Sequence, residues 1–300
     1  MEKAVAKAVP AGWPGVSVKF VSLSYPGALS TFTRGINDFG QITGHATMVG
    51  GSTGFLYDGS SFTPIAVPGV NATFAHGINN SGQVVGWYWD NTWPYQSHGF
   101  LMTGGSYTTF DYPGAFNTLP FGINDDGQIA GSYDTPGSPI QQGFVYAGGT
   151  FTNYAIPGAK DTSVYGISAS GYVWGAFDVG LSMPHGFYGS TADSSSYTAI
   201  DHPDATQGTF ITGANWPATL NEMVGCYYDA SGLGHAFLYD GLAGFTSLDQ
   251  PGSQETFAMG INGSLTVAGW SEPAGLAMRL PRCAGIHAGT GIVGSAARGD

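Results

Sequence analysis

Two side chains suited to electrostatic and acid–base chemistry, Arg34 and His76, occupy the same place in successive copies of a short motif, each directly before Gly-Ile-Asn. At matching register on neighbouring elements they would face one another, the guanidinium stabilising negative charge and the imidazole moving a proton. The same place in the later copies holds Phe121, Tyr165, Thr212 and Met259, and no other position of this strand varies so much in chemistry. Further along the motif stand His45, Trp87 and Trp270, and Trp89, Glu255 and Glu272 fall at the same end, with Trp93 and Tyr95 in the adjoining loop. Together they form a candidate site, a polar cluster rimmed by tryptophans. Arg34 and His76 are its catalytic candidates. His45, Trp87, Trp89, Trp93, Tyr95, Phe121, Tyr165, Glu255, Met259, Trp270 and Glu272 are its ligand-binding candidates. Each has a structural alternative: Arg34 paired with an acid, His76 hydrogen-bonded in the core, the tryptophans packed between repeats.

The motif that positions these residues recurs six times. Its first glycines are Gly35, Gly77, Gly122, Gly166, Gly213 and Gly260, at spacings of 42, 45, 44, 47 and 47 residues, the period of a four-stranded propeller blade. A threonine stands four residues before each: Thr31, Thr73, Thr118, Thr162, Thr209 and Thr256. A second glycine follows at Gly44, Gly86, Gly131, Gly175, Gly225 and Gly269. Turns such as Asn37-Asp38-Phe39-Gly40 lie between, where Asn and Gly tolerate the positive φ of a tight hairpin. Third strands read as Gly54-Phe55-Leu56-Tyr57 or His98-Gly99-Phe100-Leu101, and fourth strands as Tyr107-Thr108-Thr109-Phe110 leading into Asp111 and Pro113. Short alternating runs bounded by Gly and Pro are half-buried strands, and no stretch has a helical period.

The chain starts with a fourth-strand segment, Phe20 to Pro26, and the sixth unit stops after its third strand, near Ala277 to Leu280. Pairing the early segment into the last unit completes six blades and removes an open sheet edge. The expected fold is therefore all-β: a six-bladed β-propeller of four-stranded antiparallel blades, closed by the N-terminal strand as outer strand of the last blade. Residues 1–19 form a lead segment, 20–280 the propeller and 281–300 a Gly- and Ala-rich tail compatible with disorder.

Composition narrows the function classes. There are 8 basic and 20 acidic residues, a net charge of −12, so the surface repels phosphate backbones and anionic membranes and neither nucleic acid nor membrane is an expected partner. Two cysteines, Cys226 and Cys283, permit one disulfide and exclude a four-cysteine zinc site. No signal peptide is visible and no stretch approaches a membrane span; localisation and oligomeric state stay open. Residues that recur in every repeat do one structural job six times. His98, His185 and His235 stand at equivalent positions of separate repeats and are expected to make local hydrogen bonds rather than converge on a metal. Asn124-Asp125-Asp126-Gly127 suits a hairpin turn better than a calcium loop. No nucleophile elbow or phosphate loop is present. No cofactor and no metal is expected.

The segments Gly35-Ile36-Asn37-Asp38-Phe39-Gly40-Gln41-Ile42-Thr43-Gly44, Pro113-Gly114-Ala115 and His235-Ala236-Phe237 resemble those of the HAF-repeat proteins, over about residues 20 to 280. The resemblance implies a propeller-like repeat protein, usually bacterial and exported, with no established common activity.

Three functions fit. The first is a small-molecule-binding propeller with one asymmetric axial pocket, extending to a metal-independent isomerase, cyclase or lyase that uses His76 and Arg34. The second is a carbohydrate-binding, lectin-like propeller in which exposed Trp and Tyr stack on sugar rings. The third is a protein-interaction scaffold. The loops do not repeat from unit to unit, which favours one asymmetric site for a small organic molecule or saccharide over six equal ones.

Overall fold

The computed structural model describes residues 17–180, 183–215, 222–273 and 290–297, and among them regular structure is all β-strand. After β1 (Ser17–Leu23), a first sheet is made by β2 (Ser30–Ile36), β3 (Ile42–Met48), β4 (Gly51–Tyr57) and β5 (Phe62–Ile65). The second comprises β6 (Ala72–Ile78), β7 (Val84–Trp89), β8 (Ser97–Thr103) and β9 (Ser106–Phe110). The third has β10 (Asn117–Ile123), β11 (Ile129–Thr135), β12 (Ser138–Ala147) and β13 (Thr150–Tyr154). In the fourth are β14 (Asp161–Ile167), β15 (Tyr172–Asp178), β16 (His185–Ser190) and β17 (Tyr197–Ile200). The fifth holds β18 (Thr209–Asn215), β19 (Glu222–Tyr228), β20 (Gly234–Asp240) and β21 (Gly244–Ser247). The last is ordered β22 (Ser253–Ile261), β23 (Thr266–Pro273), β24 (Thr290–Ala297) and then β1.

Within each sheet neighbours run antiparallel, and a single parallel bridge, Ser52 to Ala72, links the first two sheets. The first strands lie against one another in succession and β22 lies against β2. The sheets thus follow one another around an axis in a propeller-like arrangement, without any one sheet closing on itself.

Two boundaries differ from the sequence expectation. The early strand runs from Ser17 to Leu23 rather than Phe20 to Pro26, burying Val18, Phe20 and Leu23; Pro26 has no N–H to give a ladder and falls in the turn that follows. The third strand of the last sheet is Thr290–Ala297, from the segment read as a tail, with Ile292 and Val293 as its β-branched centre. It pairs through Gly269 with Ile292 on one side and Val21 with Val293 on the other. Residues 277–280, expected in that role, lie outside the described residues.

The repeated residues each have a mechanical task. All six threonines accept a hydrogen bond from the backbone N–H six or seven residues earlier, in the segment that leads into the strand: Thr31 from Tyr25, Thr73 from Val67, Thr118 from Tyr112, Thr162 from Ile156, Thr209 from His202 and Thr256 from Gln250. Four of the second glycines sit under a ring of the third strand and in register with it: Gly44 under Phe55, Gly86 under Phe100, Gly131 under Phe144 and Gly225 under Phe237. Asn37 closes its own turn by accepting from Gln41 N (2.9 Å) and reaches forward to donate to Asn79 O (3.1 Å). Asn79 does the same to Asn124 O, Asn124 to Ser168 O, and Asn262 to Asn37 O. These bonds give a second donor to turn carbonyls that already accept from a backbone N–H, and they tie together sheets that share at most a single bridge.

The first glycines bring the inner backbones together. A Cβ on Gly122 would stand 2.7 Å from Gly166 Cα and 3.0 Å from Tyr165 O. We therefore expect Gly122→Val to lower unfolding stability by about 3 kcal/mol or more, since neither neighbour can yield without moving backbone. At Gly127 φ is +76° and an added Cβ would meet only the end of the Gln83 side chain, at 3.9 Å, so Gly127→Asn should cost only about 1 kcal/mol. Urea denaturation of the two variants checks the contrast.

Candidate functional site

The six inner strands all break register beside the first glycine: Thr33/Ile36, Ala75/Ile78, Pro120/Gly122, Val164/Gly166, Ile211/Gly213 and Ala258/Gly260, and β22 breaks again at Ser253/Glu255. Skipped beside the glycine are Arg34 with Gly35, His76 with Gly77, and Phe121, Tyr165, Thr212 or Met259 alone. A bulge re-aims the side chain it carries. Here all six line one cavity of about 330 Å³ on the axis, joined by Trp174. It extends past Asn37, Asn79, Asn124 and Asn262 to the exposed turns at Asp38, Asp125 and Gly263. Those turns are tied together: Asn80 donates to Asp38 Oδ2 and Asp125 Oδ2, both at 2.9 Å, and Asp38 Oδ1 accepts from Gly263 N at 2.8 Å.

Arg34 is only 6% exposed. One guanidinium nitrogen contacts Met259 Sδ at 3.8 Å, while Nε is buried without a partner. No carboxylate pairs with it among the described residues. Burial lowers its pKa from 12.5 to about 10, opposed by the Tyr165 phenol, so it remains a cation at neutral pH. His76 lies edge-on to Phe121 at 5.3 Å, and Phe121 edge-on to Tyr165 at 5.4 Å. Burial first, then the charge of Arg34 and the nearby His45, hold the His76 imidazole well below its ordinary value. His45 is held low by burial and then by Arg34. Burial pushes the Tyr165 phenol up to about 12, against the Ser163 hydroxyl and Arg34, which favour ionisation. The inner end of the cavity therefore presents one positive charge among neutral imidazole, phenol and aromatic faces, while the carboxylates of Asp38 and Asp125 stand at its mouth.

The structure brings together Arg34, His76, Phe121, Tyr165 and Met259 from the candidate set and separates the rest. His45, Trp87 and Trp270 belong to an aromatic girdle between the last, first and second sheets: Phe257 stacks on Trp270 at 4.1 Å, Phe32 on His45 at 4.8 Å and Phe74 on Trp87 at 3.9 Å. None of the three lines the cavity. Trp89 stacks on Tyr95 at 6.1 Å, with Trp93 edge-on to Tyr95, in the β7–β8 loop at the end of the sheets opposite the Asp38 turn. Glu255 and Glu272 are cross-strand partners at that same far end. The cavity thus opens among the repeated hairpins, whereas the sequence pointed to the end with variable loops.

Trp174 is the cavity residue that sequence reasoning passed over. It stands before the second glycine of its repeat, where the others carry Thr43, Val85, Ala130, Val224 and Ala268, and this lone aromatic was the available signal. Its ring covers Gly166, so that glycine faces indole where the others face the next inner backbone. The histidines of the third strands keep to local work: His98, His185 and His235 bond Asp111, Asp201 and Asp249 at 2.9, 2.9 and 2.8 Å. Cys226 is disulfide-bonded; Cys283 lies outside the described residues.

Burial and the carboxylate of Glu255 raise the Glu272 pKa from 4.5 to about 7. A raised carboxyl pKa means that the folded state holds the proton longer than the unfolded state, so its stabilisation is present below pH 4.5 and is lost as pH rises to about 7. Glu272→Gln should remove that slope, leaving the variant more stable than the parent above pH 7, as urea midpoints measured from pH 4 to 8 would show.

No family model and no curated protein matches the sequence. Similar solved structures share the fold at low identity. TolB from Acinetobacter baumannii aligns with TM-score 0.57 and 12% identity over 81% of this chain and 66% of its own. The SapL1 lectin, solved in complex with alpha methyl fucoside, aligns with TM-score 0.51 and 12% identity over 82% and 89%. A triple arginine-to-alanine mutant of AofleA from Arthrobotrys oligospora aligns with TM-score 0.51 and 11% identity over 91% and 88%. What these proteins have in common with the chain is an all-β, propeller-like architecture.

Proposed function

We propose that the chain is a six-bladed β-propeller, its last blade completed by β1 on the outside, and that it binds one saccharide-class ligand in the axial cavity. The observation that carries the reading is the asymmetry of the bulged positions: six equivalent sites hold Arg34, His76, Phe121, Tyr165, Thr212 and Met259, lining one cavity of about 330 Å³. That volume suits a mono- or disaccharide-sized molecule. Aromatic faces from Phe121, Tyr165 and Trp174 offer stacking surfaces for sugar C–H groups, and Arg34 and His76 offer hydrogen bonds to ring substituents. A lectin among the structures of like fold agrees with this reading. The resemblance to HAF-repeat proteins belongs to the same proposal and adds no activity.

Turnover is not part of it. His76, as a neutral imidazole with its pKa held low, is a poor proton donor near neutrality, and no carboxylate orients its ring among the described residues. The comparisons offer no support for isomerase or lyase chemistry.

A second reading rests on the β7–β8 loop, where Trp93 is 81% and Tyr95 50% exposed beside the stacked Trp89. A sugar held on that surface would leave the axis empty. Glycan-array screening followed by calorimetry separates the two. Phe121→Ala should weaken binding of the best saccharide about tenfold or more, the loss of about 1.4 kcal/mol of ring contact. If Trp93→Ala has that effect and Phe121→Ala has none, the site is the loop and the axial reading is wrong.

A further inference from the structure

We infer that the axial ligand is an acid, a uronate-type sugar whose carboxylate pairs with Arg34. This rests on the saccharide reading above and specifies its chemistry. An arginine nine-tenths buried and lacking a carboxylate partner is costly to a fold, because desolvation of the charge is not repaid. The groups facing Arg34 are the Met259 thioether from β22, the Tyr165 phenol from β14, His76 from β6 and His45 from β3. None carries negative charge at neutral pH. The two imidazoles are held low by burial first and by the Arg34 charge second, and neither neutralises it. The cavity that Arg34 lines reaches the exterior through the turns at Asp38 and Asp125, whose carboxylates are each held by Asn80, so a small acid reaches the guanidinium only by passing them and gains its charge pairing at the inner end.

Charge elsewhere strengthens the point. The protein carries a net −12 and repels anions at long range, so a positive site in its interior acts by contact rather than by steering. A guanidinium meets a carboxylate through two parallel N–H···O bonds, which fixes orientation as well as charge. Thr212 is already committed, its hydroxyl donating to Ala258 O at 2.7 Å, and Trp174 Nε1 is buried without a partner in the same wall. The donors left for a ligand around the cavity, among the described residues, are therefore on Arg34, Trp174 and the neutral His76 imidazole. A ligand rich in oxygen acceptors and bearing one carboxylate matches that set, and a neutral hexose leaves the charge unpaired.

The test uses the full chain and four probes in calorimetry: galacturonate, digalacturonate, galactose and benzoate. Galacturonate or its dimer should bind at least tenfold more tightly than galactose, and Arg34→Gln should erase the difference while Arg34→Lys keeps part of it. Arg34→Met removes an unpaired buried charge and should raise the thermal midpoint of the ligand-free protein while abolishing uronate binding, a pairing of effects that a purely structural arginine would not show. Equal binding of galactose and the uronates, or uronate binding unchanged in Arg34→Gln, overturns the inference and leaves the saccharide reading intact. Binding of benzoate through Arg34 with no binding of any sugar keeps the carboxylate pairing and overturns the saccharide reading. Binding of none of the four overturns both. Should Arg34→Gln fail to fold, the Lys and Met variants carry the same comparison.

Discussion

Six inner strands can meet around an axis only where their backbones come within van der Waals contact, and that single steric demand organises the molecule. It puts glycine at Gly35, Gly77, Gly122, Gly213 and Gly260, where a Cβ would run into the next strand's carbonyl or Cα. Strands so close cannot keep a plain ladder with their own neighbours, and the register breaks at the residue before the glycine in every sheet, taking in the glycine as well in the first two. The broken register throws one side chain per sheet toward the axis. The cavity and its chemistry are thus by-products of bringing the inner strands together. The six positions can differ in chemistry from copy to copy because the backbone beside them, rather than the side chain, makes the joint.

Polar bonds then hold what the glycines bring together. The forward-reaching asparagines give a second donor to turn carbonyls of the next sheet, and the threonines fix the incoming segment at the start of each inner strand. The pattern lapses in two places. Ser168 is too short to reach onward and accepts instead from Tyr172 N at 3.1 Å within its own turn, while Asn215 donates to Glu222. Both lapses flank the fifth sheet.

Much of this was legible beforehand because it repeats. Thr, Gly and Asn recur at one spacing, and a residue that recurs can be assigned to scaffold without knowing its partner. The convergence of Arg34, His76, Phe121, Tyr165 and Met259 was readable for the same reason, as variation at a constant address. The direction of the cavity was not readable. A bulge has no signature in residue type at these positions, so whether a side chain points toward the hairpins or the loops is decided by backbone that sequence periodicity treats as regular. The girdle of His45, Trp87 and Trp270 misled because aromatic residues near an axis look alike whether they face a ligand or each other. Trp174 was overlooked because it interrupts a small-residue position, and an interruption in one copy is weak against five that agree. The last third strand was misplaced because Thr290–Ala297 shares none of the His-Gly-Phe wording of its equivalents; its identity comes from the strands on either side.

The indole over Gly166 makes one joint of the ring unlike the others. Elsewhere backbone meets backbone, a contact with no internal freedom. Between the fourth and fifth sheets a side chain fills the gap, packed toward Ile211, Met223 and Phe237, and a side chain can change rotamer. A change of side chain at Trp174 therefore reaches both the wall of the cavity and the seam between these two sheets, whereas at the five other joints the seam is backbone and the wall can be altered without touching it.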